Sequence, residues 1–274
     1  MSGTGRGFGS APLKKHKRCV AFAKKDSASN YGNACDNESL QKKPMIKNLL
    51  ITLLTVISVT AWGQILKTED PNLKGWTKET KIVYADFKGK PTDQLKRLNK
   101  EAGLQASAQV GLKSILDVPK KKRDRGRLLE KVYVVPFFIK TTSVTMTKDE
   151  KELDKQRLYF DMGEAHARMM RRDIEHIQDS TKAYGTMWIL YSSLKDYYCI
   201  EFGKMFNDYT YEVFVEKKEG AFEKWRELID KGLSELEKYA TKKEDCHRLL
   251  TGLPIDPEYE QSEKVLDTFM RCNQ

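Results

Sequence analysis

Few side chains downstream of residue 63 have the types and spacing for chemistry. Three histidines occur there, His166, His176 and His247. His166 and His176 are ten residues apart, well off a common helical face, so they do not form a ligand pair. A lone histidine on a helix is ordinarily a packed or surface residue, and His247 next to Cys246 lacks a second pair to complete a metal site. The chain has no C-x-x-C, so zinc ribbons and thioredoxin-like motifs are excluded. It also lacks a G-x-S-x-G elbow and a phosphate-binding P-loop. Asp149, Glu150, Glu152 and Asp154 could pair for acid–base work, but acids at a helix start complement the helix dipole, and capping is the preferred reading. Glu164 and Arg168 stand four apart, as a helical ion pair does. Trp188, Tyr191, Tyr197, Tyr198 and Phe202 read as core or interface in preference to a sugar platform. Residues 119–127 carry six basic side chains; an anion-binding loop is the functional reading and a solvated hairpin loop the ordinary one.

The elements that must position these residues follow from periodicity. Residues 66–147 read mostly as strand and turn. Residues 81–84 form a short strand candidate, 87–91 a turn with Gly and Pro as breakers. Residues 107–115 alternate weakly, and 128–146 are rich in Val, Tyr, Phe, Ile and Thr, as a long strand pair should be. From Lys148 the pattern is helical: 149–181, 184–207 and 217–241, the last with Phe222, Trp225, Leu228, Ile229, Leu233 and Leu236 at helical spacing. Pro254 and Pro257 interrupt the chain, and 258–272 read as a last short helix. Antiparallel strands first and a predominantly helical half after them predict an α+β fold.

Composition and charge set the broad class. With 274 residues, 39% hydrophobic and 32% charged, the chain can bury a core without metals or disulfides, and it is neither collagenous, disordered throughout nor a multi-span membrane protein. The net charge of +10 would suit a nucleic-acid ligand, but residues 1–47 hold 10 Lys+Arg against 3 Asp+Glu. That head supplies +7 of the +10 and leaves 39 basic against 36 acidic residues elsewhere, so a nucleic-acid partner is not expected. Residues 1–44 read as a disordered basic head, or an upstream mis-start. Residues 45–63 read as a signal peptide: Met45, a positive Lys47, an apolar stretch over 49–59, and small Ala61 and Gly63 before Gln64. The uncharged run 48–66 keeps a single membrane anchor as the rival. The reading is an exported chain, periplasmic or extracellular, of one domain over 64–274, or a single-pass anchored protein touching the membrane through 48–66. Export leaves Cys199, Cys246 and Cys272. Cys246 and Cys272 bracket the Pro254–Pro257 turn and are the expected disulfide, closing a loop of about 27 residues worth roughly 3–4 kcal/mol. Cys199 would then be a buried free thiol.

Three motifs carry a resemblance. The segment from Leu153 to Arg171 resembles the L-x-H-E-x-x-H-F-D-I-x-E-x-x-A-R-x-x-R helix of a bacterial family of predicted secreted zinc-dependent proteases. Phe160, Asp161, Glu164, Ala167, Arg168 and Arg171 match, with Met162 for Ile. Upstream, Tyr84 to Pro91 is similar to that family's W-x-D-F-x-G-x-P through Asp86, Phe87, Gly89 and Pro91. Downstream, Trp225 to Ile229 is similar to its W-x-x-x-I helix. The likeness spans about residues 80–240 and implies a zincin-like fold, with these positions as its structural frame. It also puts Lys155, Gln156 and Tyr159 where the family has its two zinc-binding histidines and its general-base glutamate. A protonated lysine cannot ligate zinc, a glutamine cannot take a proton from metal-bound water, and a phenol with a pKa near ~10 is a poor ligand at neutral pH.

The resemblance and the residues together predict a degenerate site: no catalytic zinc, no other cofactor, and a non-catalytic binding or structural role with a protein partner in the cell envelope. An active metalloprotease with other ligands is the first alternative. A membrane-anchored basic protein using residues 120–127 on anionic lipid or nucleic acid is the second.

Overall fold

The computed structural model describes residues 66–182, 184–263 and 268–270. The expected head, the signal-like segment and Cys272 lie outside the described residues. No helix among the described residues is long and apolar enough to cross a membrane.

Two strands organise the fold, β3 (Val110–Pro119) and β4 (Lys131–Ile139), paired antiparallel from Val110↔Phe138 to Asp117↔Lys131. β1 (Leu73–Gly75) adds to the far side of β4, and β6 (Tyr259–Gln261) and β7 (Thr268–Met270) add to the other side of β3, making five strands. β2 (Ala106–Ser107) and β5 (Val144–Thr145) form a separate two-stranded pair. Both faces of the large sheet are covered, which is why β3 and β4 read as near-continuous apolar runs. Leu112, Leu116 and Val134 face a layer of helices α2 (Glu150–Thr181) and α3 (Met187–Thr210), packing on Ala167, Met170 and Tyr191. Ile115, Val135 and Phe137 face the opposite way, onto Cys246 and Leu249 of α5 (Lys243–Thr251).

The α+β class stands, with antiparallel strands leading into a helical half. Details differ from the sequence reading for local reasons. Residues 81–84 are not a strand; Val83 precedes a 3-10 turn over Tyr84–Asp86 because the Asp86 carboxylate captures the Val83 N–H at 2.9 Å. Helix α1 (Asp93–Ala102), hidden in the strand-and-turn stretch, is started by the Thr92 hydroxyl on Leu95 N–H at 3.1 Å and stopped by Gly103 at φ 72°. The long strand pair is β3 with β4, not two strands within 128–146. The basic run 120–127 is the loop joining β3 to β4, with Lys120 donating to the Pro257 carbonyl at 2.6 Å and Arg125 to Glu260 at 2.6 Å. Of residues 258–272, expected as a helix, Tyr259–Gln261 and Thr268–Met270 return to the sheet as β6 and β7. The third helical stretch is split into α4 (Ala221–Glu235) and a 3-10 turn over Glu237–Tyr239.

The cysteine expectation is also corrected. Cys246 is a free, buried thiol, and Cys199 takes part in a disulfide. Cys246 Sγ lies against the Trp76 carbonyl at 3.5 Å, and burial pushes its thiol up to about 12. It packs so closely under β1 that a Cβ on Gly75 would come 2.7 Å from its sulfur.

One pair of charges crosses between the sheet and α5. Arg248 Nε and Nη2 hold both oxygens of Asp117 at 2.9 and 2.5 Å, with both side chains fully buried. Removing one member strands the other charge in the core. Arg248→Ala is therefore expected to lower unfolding free energy by about 3–5 kcal/mol in urea titrations. Asp117→Leu with Arg248→Met should cost much less than the sum of the single changes.

Candidate functional site

Helix α2 carries the family-like positions, and its first turn explains its start. The Asp149 carboxylate accepts from Lys151 N–H at 3.0 Å, and Glu150 and Glu152 follow at the positive end of the dipole. The acidic cluster thus caps the helix. Asp154 pairs with Arg157 at 2.5 Å, and Glu152 with Lys155 at 2.6 Å.

Lys155, Gln156 and Tyr159 are not gathered on one point. Lys155 and Tyr159 share a face one turn apart, while Gln156 points to the start of β3. Lys155 holds Glu152 and lies 5.7 Å over the Phe214 ring. Gln156 is 1% exposed; its Oε1 accepts the Ala108 N–H at 2.7 Å and its Nε2 is left without a partner. Tyr159 is sunk in aromatic rings. It meets Phe206 and Tyr209 edge-on at 5.0 and 4.8 Å, stacks on Phe214 at 6.2 Å, and shares a 2.6 Å hydrogen bond with the Thr210 hydroxyl. Burial holds its phenol well above the ordinary range. Phe214 belongs to a π-helical turn (Tyr211–Val215) that ends α3. This turn, with Lys217 at φ 53°, walls an open cleft of about 630 Å³ lined also by Lys155, Glu152 and Phe222. So the space above Tyr159 is filled, whereas the space beside Lys155 is open.

The frame positions cohere far more strongly. Glu164 is 0% exposed and receives Arg168 Nε at 2.8 Å, Arg171 Nη2 at 3.3 Å, and the Thr241 N–H and hydroxyl at 2.8 and 2.5 Å. Arg168 continues to the Leu233 carbonyl and to Glu237 at 2.8 Å. Arg171 reaches the Val134 carbonyl at 3.1 Å and the Tyr239 carbonyl. Asp161 accepts the Trp76 indole N–H at 2.9 Å and Arg226 at 2.7 Å, and Trp76 presents its ring face to Arg168 at 5.2 Å. Phe160 packs with Trp76, Ile82 and Phe138. Trp225 donates to Glu212 at 2.8 Å and meets Tyr209 edge-on.

The upstream motif is built the same way. Asp86 is buried between Lys74 at 2.8 Å and Lys140 at 3.7 Å. Phe87 sits edge-on to Phe138, and Gly89 donates to the Ser143 carbonyl at 2.8 Å. A Cβ on Gly89 would come 2.8 Å from that same oxygen, so the approach needs a glycine. Pro91 leads into α1 through Thr92.

The remaining candidates separate. His166 is 3% exposed, packed on Phe202 at 5.0 Å, with Nδ1 3.3 Å from the Met162 carbonyl; burial lowers its pKa to about 4. His176 is exposed, and His247 accepts the Lys67 N–H at 3.0 Å. Tyr191, Tyr198 and Phe202 are buried, whereas Trp188 and Tyr197 lie on the surface. Among the described residues no three His, Cys, Asp or Glu side chains converge as a metal ligand set. Trp76, Thr241 and Lys140 were missed by sequence reasoning; nothing local marks them, since their partners lie 54 or more residues away in the chain.

No family model, characterised protein or solved structure matches the chain. The functional reading therefore rests on this geometry and on the motif likeness.

Two outcomes follow. Glu164→Gln is expected to destabilise by about 3–5 kcal/mol, because buried Arg168 and part-buried Arg171 lose the fully buried carboxylate they share and only Arg168 keeps a second acid, Glu237, while Tyr159→Phe should cost about 1 kcal/mol; chemical denaturation compares them. His166 is depressed in the folded state, so the unfolded chain binds the extra proton between about pH 6.5 and pH 4. Stability should accordingly fall as pH drops through that window, by up to about 3 kcal/mol from this residue, and His166→Phe should flatten that part of a melting-temperature profile.

Proposed function

We propose that this chain is an exported protein of zincin-like fold whose site has been converted to structure, and that it acts by binding within the cell envelope and not by cleaving peptides. One observation carries the reading. At the positions that the motif likeness would give to two zinc ligands and a general base, each side chain is already committed elsewhere: Lys155 to Glu152, Gln156 to the Ala108 amide, Tyr159 to Thr210 and its aromatic neighbours.

The chemistry supports the same conclusion. A zincin needs two neutral imidazoles one helical turn apart, with a carboxylate beside the first to take the water proton. An ammonium at 155 opposes a dication, and the Tyr159 oxygen is turned into a hydrogen bond inside a ring cluster. Meanwhile Asp161, Glu164, Arg168 and Arg171 keep α2 locked in place without any metal chemistry. The leader-like residues 45–63 support export.

Protein isolated from native envelopes should begin at Gln64 and carry far less than one zinc per chain. Peptide libraries should remain uncut. A chelator-sensitive stoichiometric metal that leaves together with peptidase activity would overturn the reading, as would a mature chain that keeps residues 1–63 in the cytoplasm.

A further inference from the structure

The backbone of β4 alternates in direction. Odd residues bond to β3, as in Ile139 N–H to the Gln109 carbonyl at 2.8 Å. Even residues point to the other edge: Lys140 N–H reaches Asn72 at 2.8 Å, and the Pro136 carbonyl accepts Trp76 N–H at 3.1 Å. β1 ends at Gly75 and the chain turns away, so the next even positions have no strand beside them. Side chains of α2 take two of the carbonyls, Arg171 Nε that of Val134 at 3.1 Å and Gln178 Nε2 that of Glu130 at 2.7 Å. Between them Val132 is left with its N–H and C=O both directed outward and without a partner among the described residues.

A groove of about 830 Å³ runs beside this open rung. Tyr133, Tyr239 and Tyr259 line it, and its charge is mainly positive. Arg127 and Lys242 are exposed on its wall and make no ion pair among the described residues. Lys131 lies 4.0 Å over the Tyr259 ring, paired with Asp256. Of the two acids that line it, Glu175 is held by Lys238 at 2.7 Å and Tyr239 at 2.5 Å, and the buried Glu130 carboxylate accepts the Met187 N–H at 2.7 Å.

We propose that this groove docks an extended acidic segment of a partner protein, pairing its backbone with Val132 and setting its carboxylates against Arg127 and Lys242. Strand addition supplies main-chain bonds and the flanking pockets supply selectivity. The chain's own head is excluded as the occupant by charge, since residues 1–47 carry +7. A phosphate backbone brings only acceptors, which the outward Val132 carbonyl opposes. The groove borders Arg171, Ile174 and Gln178, at least 16 residues along α2 from Lys155 and so about 24 Å or more away, and it stands whether or not the zinc reading does.

The test titrates the full chain with a fluorescent decapeptide alternating Glu with Thr and Val, its Lys-for-Glu counterpart, and a single-stranded oligonucleotide of matching charge. The acidic peptide should bind, and N-methylation of its alternate amides should abolish binding. Arg127→Glu with Lys242→Glu, both surface changes, should weaken it by about tenfold or more. The Val132 amide should exchange quickly in the free protein and slowly in the complex. The proposal is overturned if the acidic peptide fails to bind at millimolar concentration, or if the lysine peptide or the oligonucleotide binds as well. It is equally overturned if the charge reversals leave the affinity unchanged.

Discussion

The buried carboxylate of Glu164 is the interaction on which the rest depends. It sits on α2 with no exposure to water, and a charge in that position persists only if it is paired and fully hydrogen-bonded. Four donors meet it: two guanidinium groups from its own helix and the amide and hydroxyl of Thr241. Because Arg168 and Arg171 then reach the Leu233, Tyr239 and Val134 carbonyls, one carboxylate ties α2 to the end of α4, to the connection that follows it, and to β4. The connection from α4 to α5 crosses past the sheet edge at this point, which lets helices cover both faces of the sheet.

The same helix explains why its first half is so unlike a metal site. A metal centre needs ligands left over from folding, aimed at a common point. Here Lys155, Gln156 and Tyr159 are spent on a neighbouring acid, the Ala108 amide between β2 and β3, and a ring cluster. The π-helical turn at Tyr211–Val215 brings Phe214 across Tyr159 and leaves a cleft only beside Lys155.

Among the described residues two carboxylates with arginine partners are fully buried, Glu164 with Arg168 and Arg171 and Asp117 with Arg248, and both are costly to desolvate. Both connect helices to β3 or β4, and both are directional where apolar packing is not. The sheet thus receives fixed neighbours on each face, and on the β1-side edge α2 side chains take the Val134 and Glu130 carbonyls that flank Val132.

What the sequence by itself determined is local. The acidic cap and unbroken periodicity placed α2 to within a residue, the Val, Phe and Ile run marked β4, and the weak alternation over 107–115 caught only part of β3. The motif residues Asp86, Gly89, Asp161, Glu164 and Arg168 were singled out from the chain alone. Their roles were not legible, because each is completed by a residue far away: Lys140 for Asp86, Trp76 and Arg226 for Asp161, Thr241 for Glu164. The sequence also suggested a helix where β6 and β7 form, and a Cys246–Cys272 bond where Cys246 is a free thiol under β1. Short elements such as these have weak intrinsic preference, so the open edge of β3 decides that residues 259–261 become a strand. Only the tertiary structure settles such matters, since burial, ion pairing and strand addition are properties of neighbours that the chain brings together by folding.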